Sequence, residues 1–162
     1  MISIKVDTRD AIAKFGPGGK LPAMVRANLR RVLPDLTKRL GAKVDDNLNS
    51  GLKTRRRLVV KKQMVENPTS IYGLVTTVST REPYLLPLWL EDGTRPHVIA
   101  AKNAAALYFF WDKLGKFVSF KQVNHPGFKG IHYTLNAFQS METEIEQAIA
   151  KAAREGAKEA GS

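Results

Sequence analysis

The chain predicts an α+β fold: an antiparallel β-sheet packed against a long N-terminal helix, bent near Pro34, and a C-terminal helix. Three observations predict it. Apolar residues recur at helical spacing in one long stretch near each end. Between them lie β-branched and aromatic runs separated by Gly, Pro, Asn and Asp. These strands follow one another without intervening helical repeats, which argues for hairpins and against a parallel sheet. With 162 residues and 43% apolar content, the chain fits a single domain over residues 1–162 around one two-layer core.

At the start, Ile2, Ile4 and Val6 alternate with polar residues, the period-2 mark of a half-buried strand. Gly16-Pro17-Gly18-Gly19 then breaks the chain. Pro22 suits the first turn of a helix, where a missing N–H costs nothing. Beyond it Val25, Leu29, Val32, Leu33, Leu36, Leu40, Val44 and Leu48 recur at spacings of three and four, the stripe of a long amphipathic helix. Pro34 sits inside that stripe and removes one backbone hydrogen bond, so a bend or a break into two helices is expected there. Residues 53–62 pack six cations around Leu58, Val59 and Val60. They read either as part of a basic arm or loop over 53–70, or as a strand edge kept soluble by positive charge.

Asn67-Pro68-Thr69-Ser70 reads as a turn. Residues 71–80 then form a strand that sets Tyr72, Leu74, Thr76 and Val78 on one face. Pro83 and Pro87 interrupt the apolar segment at 84–90, which predicts a short helical turn or irregular packing on the sheet with Trp89 as an anchor. Leu107-Tyr108-Phe109-Phe110-Trp111 and Phe117-Val118-Ser119-Phe120 read as two strands joined by Asp112-Lys113-Leu114-Gly115-Lys116. Adjacent aromatics point to opposite faces of a strand, so half should be core and half available to a neighbouring subunit. Leu135, Phe138, Met141, Ile145, Ile149 and Ala152 mark the second amphipathic helix, with a flexible tail over 155–162.

Twenty-six Lys and Arg against 15 Asp and Glu give a formal charge of +11, a bias toward polyanionic partners. Arg55, Arg56, Arg57, Lys61 and Lys62 are the candidate contacts to phosphates or to an acidic subunit surface. The absence of cysteine excludes disulfides and thiolate metal sites. No apolar run approaches the ~20 residues that cross a bilayer, and residues 1–7 lack a signal-peptide pattern, so the reading is a soluble protein without a membrane partner. His97, His125 and His132 share no i, i+4 helix face, and a histidine satisfied by backbone in a turn is the favoured reading. Glu91 and Asp92 are neighbours that usually diverge. Gly16-Pro17-Gly18-Gly19-Lys20 is too short for a phosphate loop, and no serine sits in a nucleophile elbow. Catalytic, cofactor-binding and metal-binding residues are therefore none, and the chain is read as no enzyme.

Two short segments stand apart: Leu90-Glu91-Asp92-Gly93-Thr94-Arg95-Pro96-His97 and His125-Pro126-Gly127-Phe128-Lys129-Gly130. Each reads as a stiff polar elbow flanking the aromatic hairpin. Their order resembles the neck and tail-completion proteins of long-tailed bacteriophages, the group of lambda minor tail protein Z relatives, over roughly residues 84–138. Glu91, Gly93, Thr94, His97, Val98, Ile99, Leu107, Phe109, His125, Pro126 and Gly127 carry the likeness. One departure is that Phe128-Lys129-Gly130-Ile131-His132-Tyr133 stands where relatives have a small polar residue and then Pro-Phe, so the last helix should start differently.

The resemblance implies a structural virion protein, assembled in the host cytoplasm and located at the head–tail junction or tail. It implies a homo-oligomeric ring, a hexamer, that joins head-completion or connector proteins to tail-terminator or tail-tube proteins and passes double-stranded DNA through its lumen. Glu91 and Arg95 would pair between subunits, and Gly93, Thr94, His125, Pro126 and Gly127 would be structural turns. Two readings from other classes stand beside it: a basic nucleic-acid-binding module that contacts phosphates through residues 55–62, and a small basic nuclease using His125 or His132.

Overall fold

The computed structural model describes residues 2–5, 23–49, 58–67, 70–81 and 85–160. The fold is α+β, with helices packed on antiparallel strands. In chain order come β1 (Ile2–Lys5), α1 (Ala23–Asn49), β2 (Leu58–Asn67), β3 (Ser70–Ser79) and α2 (Leu86–Asp92). Six short strands follow: β4 (Gly93–Thr94), β5 (His97–Ala100), β6 (Leu107–Trp111), β7 (Lys116–Phe120), β8 (Gln122–His125) and β9 (Phe128–Lys129). Helix α3 (Tyr133–Ala160) closes the order. The chain forms two compact units, Met1–Pro87 with His132–Ser162, and Leu88–Ile131.

In the first unit, β3 is the centre of a three-stranded antiparallel sheet ordered β1-β3-β2. Ile2 pairs with Val75 on one side, and on the other the ladder runs from Leu58 opposite Ser79 to Asn67 opposite Ser70. Asn67 Oδ1 accepts from the Ser70 amide at 2.8 Å and from its hydroxyl at 3.0 Å, an Asx-type lock at that end. Helix α1 lies on the face that carries Ile71, Gly73 and Val75, all buried. The set Tyr72, Leu74, Thr76 and Val78 does share a face, but it is the other, half-buried one.

The spacing seen in sequence explains α1. Val25, Leu29, Leu33, Leu36, Leu40, Val44 and Leu48 are all buried at 3% exposure or less. The helix is one element through Pro34, so the break into two helices does not occur; Pro34 stands on the exposed face, where water can take the carbonyl it leaves without a partner. One stripe of α1 faces the sheet. Any Cβ at Gly73 would collide with the Thr37 hydroxyl, and one at Gly41 with the alkyl stem of Lys62. Thr37 donates to the Leu33 carbonyl at 2.7 Å, which satisfies its buried hydroxyl within the helix.

The adjoining stripe of α1 meets α3, which runs antiparallel to it. Gly156 admits the backbone at Val25, Arg39 pairs with Glu144, and Asn47 Nδ2 donates to the Tyr133 carbonyl at 3.0 Å. Tyr133, Ala137, Met141, Ile145 and Ala152 bury the facing stripe of α3. The flexible tail foreseen over 155–162 is helix as far as Ala160, because Gly156 is a packing contact; residues 161–162 lie outside the described residues. The first turn follows His132, whose φ of 49° is left-handed and whose carbonyl accepts the Asn136 amide at 2.8 Å.

The second unit is an antiparallel two-stranded ribbon with three paired stretches, β4 with β9, β5 with β8, and β6 with β7. The two segments read as separate elbows therefore face each other: Gly93 lies opposite Lys129, Thr94 opposite Phe128 and His97 opposite His125. The hairpin foreseen at 107–120 forms its end, with Trp111 opposite Lys116 and Gly115 in the left-handed region at φ 61°. Helix α2 is a seven-residue turn of helix with Pro87 at its second position, where proline is tolerated. Trp89, expected as an anchor, is exposed, and Leu90 is the buried residue.

Candidate functional site

Neither face of the β6–β7 hairpin is buried. Leu107, Phe109, Trp111, Val118 and Phe120 share one face, and Tyr108, Phe110, Phe117 and Ser119 the other, as the register requires. Tyr108 is 72% exposed and Phe117 59%, while Phe110, Trp111 and Phe120 are also exposed. The expectation that half of these aromatics form core is overturned: Tyr108, Phe110, Trp111, Phe117 and Phe120 are exposed, Phe109 is half-buried, and the rings pack on one another. Tyr108 stacks on Phe117 at 5.1 Å between ring centres, and Phe110 meets Phe117 edge-on at 5.3 Å. On the other face Trp111 meets Phe120 edge-on at 5.9 Å and Phe109 lies 6.3 Å from Phe120. Such pairs add roughly 0.5–1.5 kcal/mol each beyond area burial, so each face holds an ordered aromatic cluster open to a partner.

At the ribbon's other end the elbows form a waist of close backbone approach. Gly93 (φ 85°) and Gly127 (φ 87°) occupy the left-handed region, and a Cβ at either would strike a carbonyl oxygen across the ladder, that of Phe128 or Thr94. Gly130 is pressed in the same way against the Glu91 carbonyl oxygen. Pro126 interrupts the pairing between β8 and β9. Gly93 and Thr94 are thus ladder residues of β4 and His125 the last residue of β8, with Pro126 and Gly127 between β8 and β9.

His97 and His125 face each other across the ladder, their ring centres 5.0 Å apart and their planes tilted by 31°, and each is tied to backbone. His97 Nδ1 lies 2.8 Å from the Arg95 carbonyl and so carries the proton; His125 Nδ1 accepts the Gly127 amide at 3.1 Å and so does not. Both rings are bonded to nearby backbone from the ends of paired strands. Among the described residues no three His, Asp or Glu side chains are grouped to hold a metal ion. Glu91 is half-buried and Arg95 exposed, and no ion pair joins them.

The basic segment is not an arm where it is described. Residues 58–67 are a strand paired along its whole length, so the arm or loop proposed over 53–70 is corrected to a sheet edge there. Arg55, Arg56 and Arg57 lie outside the described residues. Lys61 and Lys62 are exposed, but alternation sends them to opposite faces, with the Lys62 stem across Gly41 of α1.

Near the end of β2 that pairs with Ser70, Glu66 accepts from two arginines of α1, Arg30 at 2.7 Å and Arg26 at 3.0 Å. The Arg30 hydrogen bond holds the Glu66 carboxyl below its ordinary range, with the charges of both arginines adding to it and desolvation opposing. Toward the other end, an open groove of about 500 Å³ runs between α1 and β2. Its apolar part is Leu58, Val59 and Val60, and Asp45 and Asp46 stand on its helical side. The isolated sequence carried a signal for the ribbon in its aromatics; it carried none for this groove, which depends on how β2 lies beside α1.

No protein family, curated protein or solved structure matches the chain. No helix among the described residues is long and apolar enough to cross a membrane.

Proposed function

We propose that the chain is a structural subunit of a tailed bacteriophage, building a closed homo-oligomeric ring, a hexamer, at the head–tail junction. One observation carries the reading: an aromatic ribbon with both faces open. A two-stranded ribbon is marginal alone in water and needs a third surface to hold it. Its exposed apolar side chains exceed the scattered surface hydrophobes of an ordinary monomer. The likeness of residues 84–138 to neck and tail-completion proteins supplies the setting, and the histidines tied to backbone favour architecture over turnover. Connector proteins on the head side and tail-terminator or tail-tube proteins on the other would flank the ring. Double-stranded DNA would pass through the lumen, drawn near by the +11 charge.

Native mass spectrometry of the purified chain, with imaging of the particles that contain it, tests the reading. A single closed stoichiometry and density at the head–tail junction support it. A lone protomer absent from any virion would overturn it.

The charge also favours a second reading, a nucleic-acid-binding module using the basic residues at 55–62. Duplex binding whose affinity falls steeply with salt, by a slope reporting several displaced ions, would favour it. Salt-insensitive or absent binding would remove it.

A further inference from the structure

We propose that the face of the ribbon bearing Tyr108 and Phe117 binds single-stranded nucleic acid by stacking on its bases. The two faces of the β6–β7 hairpin are not alike. On one, the rings of Phe109, Trp111 and Phe120 meet tilted or edge-on, and none is more than 39% exposed. On the other, Tyr108 lies nearly parallel to Phe117, their planes 8° apart, and Phe110 meets Phe117 edge-on. Phe117 covers one side of the Tyr108 ring, and an exposure of 72% leaves the other side to solvent. A parallel pair with an open end is a platform on which a further flat ring continues the stack.

The platform stands in cationic surroundings. Between Val98 and Asn124 the chain carries four lysines, Lys102, Lys113, Lys116 and Lys121, against one carboxylate, Asp112. All four lysines are exposed, and none is in an ion pair among the described residues. The ribbon of a second copy would bring the same excess of lysine against them, which disfavours it as the occupant of this face. An acidic protein surface would answer the charge and leave the open side of Tyr108 without a flat partner. A duplex would answer the charge too, but its bases are already covered by their neighbours in the stack. A single strand brings anionic phosphates and uncovered bases together, and aromatic platforms beside cations hold such strands. Every base has a flat face, so no strong base preference is expected. The less exposed face remains for a neighbouring subunit, so the inference goes beyond the ring reading and does not require it.

Fluorescence anisotropy of the full chain with a labelled oligothymidylate of about 15 nucleotides, and with a duplex of equal length, tests the site. The single strand should bind more tightly than the duplex. Tyr108→Leu, which keeps an apolar side chain and removes the ring, should weaken single-strand binding about tenfold, whereas Tyr108→Phe should leave it nearly unchanged. Both variants should keep the circular dichroism of the wild type, since Tyr108 is exposed. Lys113→Gln with Lys116→Gln should flatten the slope of log affinity against log salt by about 1.4. Absent single-strand binding overturns the proposal. So does equal binding of single strand and duplex that Tyr108→Leu does not change, because charge alone would then account for it. Binding that survives Tyr108→Leu and is lost with Arg55→Gln, Arg56→Gln and Arg57→Gln places the strand on the basic segment and overturns the ribbon site. If Tyr108→Leu leaves binding intact and instead raises the concentration needed for self-association, the face belongs to a second copy and the proposal falls while the ring stands.

Discussion

At the residue scale, the ribbon depends on three glycines whose missing side chains let two strands touch. Gly127 combines a φ of 87° with a path for its Cβ straight toward the Thr94 carbonyl oxygen. Gly127→Ala should therefore cost about 1–3 kcal/mol of local stability. Deuterium exchange should show amides of 93–100 and 122–129 exchanging roughly tenfold or more faster, with those of α1 and α3 unchanged. Gly115, also left-handed but with open space around its Cβ position, is the control: Gly115→Asn should be nearly silent. A second prediction concerns Glu66. Its carboxyl titrates below its ordinary value of 4.5 because Arg30 and Arg26 hold the charged form. A depressed folded-state pKa contributes stability that is full above the unfolded value and is lost as pH falls through the folded one. Glu66→Gln should thus lower the melting temperature slightly at pH 7, and the gap from wild type should close as the pH drops below 4.5. An unchanged gap in acid would show that packing, and not charge, is what the substitution disturbs.

At the element scale, the two long helices were legible because one variable, the three-and-four spacing of Leu and Val, decides both helix and buried face. Strand β3 was legible from its β-branched run, yet its core face was not. Gly73 is buried only because Thr37 of α1 presses on it, a fact held by a distant segment. The elbows were misread for a related reason. Gly93, Pro96, Pro126 and Gly127 mark turn chemistry locally, and nothing local says that Gly93 will face Lys129 across a ladder. The aromatic alternation at 107–120 likewise specifies two faces without saying whether anything covers them. Pro34 shows tertiary packing overriding propensity, since Leu33 and Leu36 anchor the helix on both sides of it. Interior proline costs about 3 kcal/mol relative to alanine. Pro34→Ala should accordingly raise the urea midpoint, by up to that amount in unfolding free energy, with an unchanged slope. A destabilised Pro34→Ala protein would mean that the proline's local geometry is needed for the packing of α1.

At the scale of the whole molecule, the ribbon is an insertion in sequence between the two parts of the helical unit. The chain leaves that unit at Pro87 and returns at His132, and these ends are neighbours: the Tyr133 hydroxyl donates to the Pro87 carbonyl at 3.2 Å. The core of Val25, Leu29, Leu33, Leu40, Ile71, Val75, Ala137 and Ile145 is supplied by residues of that unit. Replacing residues 88–131 by a short Gly-Ser linker should therefore leave a protein with strong helical circular dichroism and a cooperative thermal transition, since closing a short loop adds little entropy cost. Because the aromatic faces would be gone, the same protein should remain a single protomer at concentrations where the full chain assembles. The two readouts separate two ideas. An unfolded product would show that the helical unit needs the ribbon to fold; a folded product that still assembles would move the self-association surface off the ribbon and onto the helices or the sheet.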